Sequence, residues 1–252
     1  MKIFNSTISE IIKLHDNINL IKIHSPEIAK SAKPGQFCNI KVSDCNFPLL
    51  RRPFSISDVD GEYIYFMFNV AGEGTKLLSS KQNGETINIL GPLGNGFNFE
   101  TEFKSAVIIA GGLGVAPFPF LTKKINNKKI YAFIGGRSEN EIITHGLENC
   151  IISTDNGSVG FKGNVVESFK RYIDKIDLGN AVIFSCGPTP MLKAVQDLSL
   201  QYKIKCQLST ECAMACGFGI CQGCNIESAE EEDKYKLVCI DGPVFDAKEV
   251  KL

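Results

Sequence analysis

Four cysteines near the end of the chain have a spacing that could hold a metal cluster. They follow the pattern Cys216-x4-Cys221-x2-Cys224-x14-Cys239, with glycines between the first three. This is the plant-type spacing of [2Fe–2S] sites, in which cysteine thiolates hold the cluster and glycines let the loop curl around it. The pattern therefore predicts a centre that carries one electron at a time.

Two other uses of these cysteines are weaker. Structural zinc sites usually pair two separate short Cys-x2–4-Cys hairpins. Here three cysteines share one loop, with Cys221 and Cys224 as its one Cys-x2-Cys pair, and Cys239 follows alone. Disulfides are disfavoured because ten cysteines in a chain that we expect to be cytoplasmic indicate metal or redox chemistry. Cys212 could compete as a ligand, but Cys216 alone completes the expected spacing. A zinc-stapled binding module without redox activity is the alternative from a different functional class.

Composition sets limits on partners and location. The chain has 252 residues, of which 44% are hydrophobic and 22% charged, and its formal net charge is −1. This balance gives no electrostatic case for a nucleic acid or an anionic membrane as partner. The longest apolar stretch, Ala106 to Leu121, is broken by glycines and prolines and is shorter than the ~20 residues that span a bilayer. We expect a cytoplasmic protein.

The hydrophobic pattern changes twice along the chain. Residues 1–100 read as short strands separated by turn signals such as Asp60-Gly61, which predicts an antiparallel β-barrel. Residues 101–205 alternate strands and helices, which predicts a parallel sheet of the nucleotide-binding type. Residues 206–252 read as a small loop-rich domain organised by the cluster. The expected fold class is therefore α+β with three domains.

Glycines mark the expected nucleotide site. Gly112 and Gly114 lie between a predicted strand and a helix, where close approach of a pyrophosphate needs small residues. Cys186 and Gly187 close another strand at the same edge of the sheet, although tight structural turns would look similar. The second strand ends in Gly135-Gly136-Arg137-Ser138 without an acidic residue, so the choice between NAD and NADP stays open at this point.

A third cofactor follows from electron counting. A nicotinamide moves two electrons together as hydride, whereas an iron–sulfur cluster moves one, so a flavin is needed between them. The barrel offers an arginine and a serine in the run Arg52-Pro53-Phe54-Ser55, which could grip phosphate and contact a flavin ring. The turn Gly72-Glu73-Gly74-Thr75 adds backbone N–H groups for a pyrophosphate. We expect FAD or FMN in the first domain.

These motifs together resemble those of the ferredoxin–NADP reductase superfamily. Within it, the order of domains and the C-terminal signature are most similar to the electron-transfer subunits of class 1B dihydroorotate dehydrogenases. The signature runs from Met214 to Cys224 and again from Val238 to Asp246, and the resemblance covers essentially the whole chain.

The resemblance implies a role for each motif. Ser55 would lie near the reactive nitrogen of FAD, and the NAD site would lie on the second domain. No catalytic side chain is implied, because the redox centres carry the chemistry. The residues implied for FAD are Arg52, Pro53, Phe54, Ser55, Met67, Phe68, Asn69, Gly74 and Thr75; for NAD they are Gly112, Gly114, Cys186 and Gly187; for the cluster they are Cys216, Cys221, Cys224 and Cys239.

The resemblance also implies a partner. Dihydroorotate would be oxidised at an FMN in a separate catalytic subunit, and electrons would pass through the cluster and FAD to NAD+. Two copies of each subunit would form a heterotetramer. The nearest rival is a flavin subunit of an NADH-dependent ferredoxin:NADP oxidoreductase or of a hydrogenase complex, which belongs to the same superfamily.

Overall fold

The first part of the chain forms a closed six-stranded barrel. The computed structural model describes residues 2–232 and 234–252. The strands follow the order β1-β2-β5-β4-β3-β6 around the barrel, and every neighbouring pair is antiparallel. Their bounds are β1 (Lys2–His15), β2 (Ile18–His24), β3 (Phe37–Lys41), β4 (Arg52–Asp60), β5 (Tyr63–Asn69) and β6 (Thr86–Leu93).

Alternating apolar residues explain why this segment closes into a barrel. Along β2, Ile21 and Ile23 have no exposed surface and point into the same interior, as expected for a strand with a period of two. Two short helices, α1 (Pro26–Ser31) and α2 (Glu73–Ser79), cover its ends, and Ile28 and Leu78 anchor them in the barrel core.

The second part is a seven-stranded sheet in the order β10-β9-β8-β7-β11-β12-β15. All its pairs are parallel except the last, in which β15 runs antiparallel to β12. The strands are β7 (Ser105–Gly111), β8 (Lys129–Gly136), β9 (Ile151–Thr154), β10 (Phe161–Lys162), β11 (Ala181–Cys186), β12 (Lys205–Ser209) and β15 (Val244–Asp246); the helices are α3 (Phe118–Lys124), α4 (Val165–Lys170) and α5 (Thr189–Tyr202).

The two faces of this sheet have different neighbours. One face packs with α3 against the barrel, and Leu20 and Met67 of the barrel belong to the same apolar core as Ile108 of the sheet. The other face is covered by α4 and α5 through side chains such as Phe169 and Val195. The barrel and the sheet therefore share one continuous core, which fixes the walls of the space between them.

The cluster segment begins and ends on the sheet. It leaves β12 at Ser209, forms the small pair β13 (Asn225–Glu227) and β14 (Tyr235–Leu237), and returns at β15. Its core includes Phe37 and Leu93 of the barrel. The predicted fold class is confirmed. The boundaries 1–100, 101–205 and 206–252 stay a prediction, to which the structure adds that β12 and β15 place both ends of the last segment in the α/β sheet.

Helix lengths bear on the membrane question. In the described part of the chain, no helix is both long and apolar enough to cross a membrane. The longest one, α5, has 14 residues and is amphipathic.

Candidate cofactor sites

The first two cluster cysteines lie at the two ends of a glycine-containing loop. The Sγ atoms of Cys216 and Cys221 are 3.3 Å apart. Gly217 and Gly219 have φ values of +76° and +87°, which side-chain-bearing residues rarely adopt. A Cβ on Gly217 would overlap the side-chain amide of Asn39, and one on Gly219 would overlap Ile240. The loop therefore needs glycines both for its curvature and for its packing.

The same loop surrounds Cys216 with donors. The backbone N–H groups of Cys221 and Phe218 point at its sulfur over 3.4 and 3.5 Å. Burial alone would raise the pKa of the Cys216 thiol, but these N–H groups and the Cys221 thiol outweigh it and lower the pKa to about 6. Cys216 is thus a thiolate at neutral pH, which is the form that binds a metal.

The other two cysteines form a second, buried pair. The Sγ atoms of Cys224 and Cys239 are 3.1 Å apart and both residues are 2% exposed. Burial and then the neighbouring Cys224 raise the pKa of the Cys239 thiol to about 12. Cys212 lies beside Cys224, and burial followed by that contact raises its pKa to about 11.

The arrangement in two pairs fits a cluster with two metal ions. The thiols of Cys216 and Cys221 lie close together, and those of Cys224 and Cys239 form a second close pair. A mononuclear zinc site would need four ligands around one point, whereas a [2Fe–2S] cluster takes two cysteines on each iron. The four predicted ligands therefore suit a binuclear cluster better than zinc.

Two of the predicted flavin residues, Arg52 and Gly74, are in contact beside an opening between β4 and β5. A Cβ on Gly74 would lie 3.0 Å from Nε of Arg52, so the arginine rests on the turn that begins α2. The pairing of β4 with β5 ends at Ile56 and Phe66, and the preceding residues of β4 pair only with β3. Backbone groups on the facing edges of the two strands are therefore free for a ligand.

Individual side chains at this opening differ in access. Met67 and Phe68 are 2% and 0% exposed and pack into the two cores, so only their backbone atoms could contact a flavin. Asn69 is exposed. The hydroxyl of Thr75 accepts from the N–H groups of Ala71 and Gly72, which makes it a support for the turn.

A large cavity lies between the barrel and the carboxyl ends of the parallel strands. Its volume is about 1020 Å³. Gly111 and Gly112 line it at the end of β7, Gly135 and Gly136 at the end of β8, and Asn69 faces it from the barrel. Ligands of open α/β sheets bind at this edge. The cavity therefore has the position expected for a dinucleotide.

Two of the predicted nucleotide residues, Gly114 and Cys186, lie behind the residues that line the cavity. A Cβ on Gly114 would overlap the carbonyl group of Cys186, so the two turns pack backbone to backbone. The Cys186 thiol is 1% exposed, and burial, followed by the charge of Glu211, raises its pKa. Pro188 and Met191 after it line the cavity, whereas Cys186 and Gly187 do not.

Sequence reasoning missed three kinds of residue. Asn39 donates from a barrel strand to the carbonyl oxygen of Cys216, a contact between distant positions that no local pattern indicates. Glu211 is solvent-accessible, yet protein atoms surround its carboxyl closely enough for burial to raise its pKa. Glu141 and Asp155 bring carboxylates into the cavity. Of these residues, only Glu211 could have been noticed in the sequence, because it lies just before the cysteine motif.

The fold and these sites define a class of protein, the reductases that join a flavin-type barrel to a parallel nucleotide sheet. The chain aligns with the structure of an NADH-dependent reduced ferredoxin-NADP oxidoreductase at a TM-score of 0.86 and 26% identity, covering 98% of this chain and 89% of that one. A ferredoxin NADP+ reductase from Neisseria gonorrhoeae with bound FAD and NADP shares the fold at a TM-score of 0.63 and 17% identity, covering 80% and 92%.

Sequence comparison is more specific. Residues 211–251 match the family model described as the iron-sulfur cluster binding domain of dihydroorotate dehydrogenase B. The "Dihydroorotate dehydrogenase B (NAD(+)), electron transfer subunit" of Caldanaerobacter subterraneus subsp. tengcongensis is 41% identical over 88% of both chains. That of Bacillus velezensis is 36% identical over 100% of both. The chain belongs to the family of dihydroorotate dehydrogenase B electron transfer subunits, and the predicted resemblance is confirmed.

Proposed function

We propose that this chain carries electrons from a dihydroorotate-oxidising catalytic subunit to NAD+, through a [2Fe–2S] cluster and FAD. Cys216, Cys221, Cys224 and Cys239 hold the cluster, the barrel opening at Arg52 holds FAD, and the cavity at the sheet edge receives NAD+. The observation that carries this proposal is the arrangement of four thiols in two close pairs beside a flavin-type barrel. Family membership supports the identity of the reaction.

The order of carriers follows from their positions. The cluster loop contacts the barrel through Asn39, whereas the cavity lies at the junction of barrel and sheet. When bound, the flavin converts single electrons from the cluster into a hydride for the nicotinamide. The chain's own residues bind and separate the three groups: Arg52 carries a phosphate-binding guanidinium, and Gly112 leaves open space for a pyrophosphate.

Apolar side chains around the cluster loop indicate where the partner docks. Ile220, beside Cys221, is 76% exposed, and Leu49 in the loop before β4 is 75% exposed. Arg51 connects these loops, because its guanidinium donates to the carbonyl oxygen of Asn39, whose amide holds Cys216. Phe47 and Leu50 in the same loop as Leu49 are also 73% and 47% exposed, and contiguous exposed apolar patches often mark binding surfaces. The proposed occupant is the FMN-containing catalytic subunit, with two copies of each subunit in the assembly.

The rival assignment within the superfamily has less support. The ferredoxin-NADP oxidoreductase structure shares the architecture, but its identity to this chain is 26%, against 33–41% for several dihydroorotate dehydrogenase B subunits. The proposal also places the chain in the cytoplasm, because all ten cysteines are unpaired, as in a reducing compartment.

Replacing single cysteines tests the cluster. We expect Cys221→Ser to abolish electron transfer from the catalytic subunit while NADH oxidation by an artificial acceptor continues. Cys212→Ser is the matched control, because that thiol lies beside Cys224 yet is outside the proposed set, and it should keep iron and sulfide. Loss of both activities in folded, FAD-loaded Cys221→Ser protein would contradict the order of carriers. A colourless wild-type protein that holds zinc alone would contradict the proposal as a whole.

A second experiment tests the docking surface. Ile220→Asp and Leu49→Asp should weaken association with the catalytic subunit, measured by analytical ultracentrifugation of the mixed subunits. Leu200→Asp is the control, since Leu200 is a 45% exposed apolar residue on α5. If all three variants bind the wild-type catalytic subunit equally well, this surface is not the docking site.

A further inference from the structure

The lining of the cavity has an acidic balance of charge, and its one guanidinium lies at the end formed by β8 and β9. Among the described residues that line it, Arg137 is the single lysine or arginine, whereas Asp16, Glu141 and Asp155 carry carboxylates. Arg137 and Asp155 directly follow the ends of β8 and β9. In dinucleotide folds this region receives the adenosine ribose, where an acidic side chain binds the 2′-hydroxyl of NAD or an arginine accepts the 2′-phosphate of NADP.

The one guanidinium at this end is already paired. Nε and an Nη of Arg137 lie 2.7 and 2.6 Å from Oε1 of Glu141, and the backbone N–H of Arg137 donates to Oε2 over 3.0 Å. The hydrogen bonds to Glu141, and then its charge, raise the pKa of Arg137, and Asp155 adds to the effect. Arg137 hydrogen bonds in turn lower the pKa of Glu141.

The ion pair alone would not keep Arg137 from binding a phosphate, because Arg137 is 84% exposed and exposed ion pairs contribute little free energy. A phosphate could draw the guanidinium away. The carboxylate, however, is also held by the backbone N–H of Arg137, and the backbone N–H of Glu141 donates to the carbonyl oxygen of Ser138 over 3.0 Å. Glu141 therefore stays in the cavity whether or not Arg137 moves.

We propose that Glu141, supported by Asp155, is the residue that makes this site select NAD(H) over NADP(H). A 2′-phosphate would add about two negative charges to a site with two carboxylates and one neutralised guanidinium. The 2′-hydroxyl of NAD adds no charge and can donate to a carboxylate. This inference rests on the proposed function, in which the cavity binds NAD+.

The test is equilibrium binding of NAD+ and NADP+ to oxidised, FAD-loaded protein by isothermal titration calorimetry. The two ligands differ only by the 2′-phosphate, and neither is turned over. Wild-type protein should bind NAD+ at least tenfold more tightly. Glu141→Gln should reduce the ratio of the NADP+ and NAD+ dissociation constants at least tenfold, mainly through tighter NADP+ binding. Asp155→Asn should reduce this ratio less. Glu139→Gln, which removes a nearby charge outside the cavity lining, should leave it within twofold.

A double substitution tests whether Arg137 binds the 2′-phosphate of NADP+ once Glu141 is replaced. Arg137→Ala in the Glu141→Gln background should remove the added NADP+ affinity. An unchanged ratio in Glu141→Gln, with NAD+ still bound, would overturn the inference and leave the proposed function standing. If Glu141→Gln does not fold, Asp155→Asn decides by the same criterion. Wild-type protein that binds neither nucleotide would overturn the dinucleotide site and this inference together.

Discussion

The side-chain amide of Asn39 donates a hydrogen bond of 3.1 Å to the carbonyl oxygen of Cys216. Asn39 is a buried residue of barrel strand β3, and its side-chain oxygen has no hydrogen-bond partner among the described residues. Gly217 packs on the same amide. The barrel therefore holds the first predicted cluster ligand directly, from a strand in which Asn39 pairs with Pro53 of the predicted flavin strand β4.

We expect Asn39→Ala to loosen the cluster without emptying the flavin site. One hydrogen bond contributes about 0.5–1.5 kcal/mol, so iron should be lost to a chelator about two- to tenfold faster. The measurement is iron release against time, with FAD content checked in the same samples. Asn5→Ala is the control, because Asn5 pairs with Asn88 within the barrel. Equal release from both variants would show that the Asn39 contact does not hold the loop.

Arg52→Ala should weaken FAD binding. A charge-assisted hydrogen bond contributes about 1.5–3 kcal/mol, which corresponds to about 10- to 100-fold in the dissociation constant. Titration of deflavinated protein with FAD, followed by flavin fluorescence, measures the change. Arg171→Ala serves as the control, since that guanidinium lies over the Phe161 ring. FAD affinity unaltered by Arg52→Ala would remove Arg52 from the flavin site.

Gly114→Ala should destabilise the nucleotide half and weaken NAD+ binding. Its Cβ would overlap the backbone of Cys186, and such overpacking costs about 1–3 kcal/mol. Thermal unfolding should shift down by about 2–4 °C for each kcal/mol in a chain of this size. In contrast, Gly179→Ala should be nearly neutral, because the nearest atom to its Cβ is Asp177 Oδ1 at 3.6 Å. Similar melting temperatures for the two variants would mean that the turns do not pack as closely as described.

Glu211→Gln should change how stability depends on pH. Burial raises the pKa of Glu211, so the folded chain holds this proton more tightly than the unfolded chain does. Stability is then lost as pH rises above the unfolded carboxyl value of about 4.3. The glutamine variant should melt at a higher temperature than wild type at pH 7, with the difference vanishing near pH 4. Glu100→Gln should show no such pH-dependent gain, and parallel melting curves for Glu211→Gln would contradict the burial effect.

Much of the architecture could be predicted because it follows from the local periodicity of apolar residues. Strand β11 was expected at Ala181–Cys186 and lies there, since six consecutive buried residues read as a central parallel strand. The expected strand Lys129–Ile134 extends to Gly136. The first strand, Lys2–His15, is longer than the short strands predicted for residues 1–100, because its pairing continues through a register shift between Ile8 and Glu10.

For the site residues, too, local sequence patterns could be predicted and contacts between distant positions could not. The four cysteines could be proposed as cluster ligands because their spacing is local, whereas Asn39 and Glu141 make contacts that form only after folding. The rule that looks for an acidic residue at the end of the second strand failed for a geometric reason. Glu141 reaches back from the turn after Arg137, and Asp155 comes from the next strand of the sheet. Both residues line the cavity from positions that the rule does not examine.

The pairing of β12 with β15 has a consequence for how the cluster is assembled. Because these strands bring the two ends of the cluster segment together at the sheet edge, the entropy of closing that loop is lost when the sheet folds. Metal insertion then has to order only the interior of a loop that is already closed. The sheet, and not the cysteines, therefore fixes the two ends of the cluster segment.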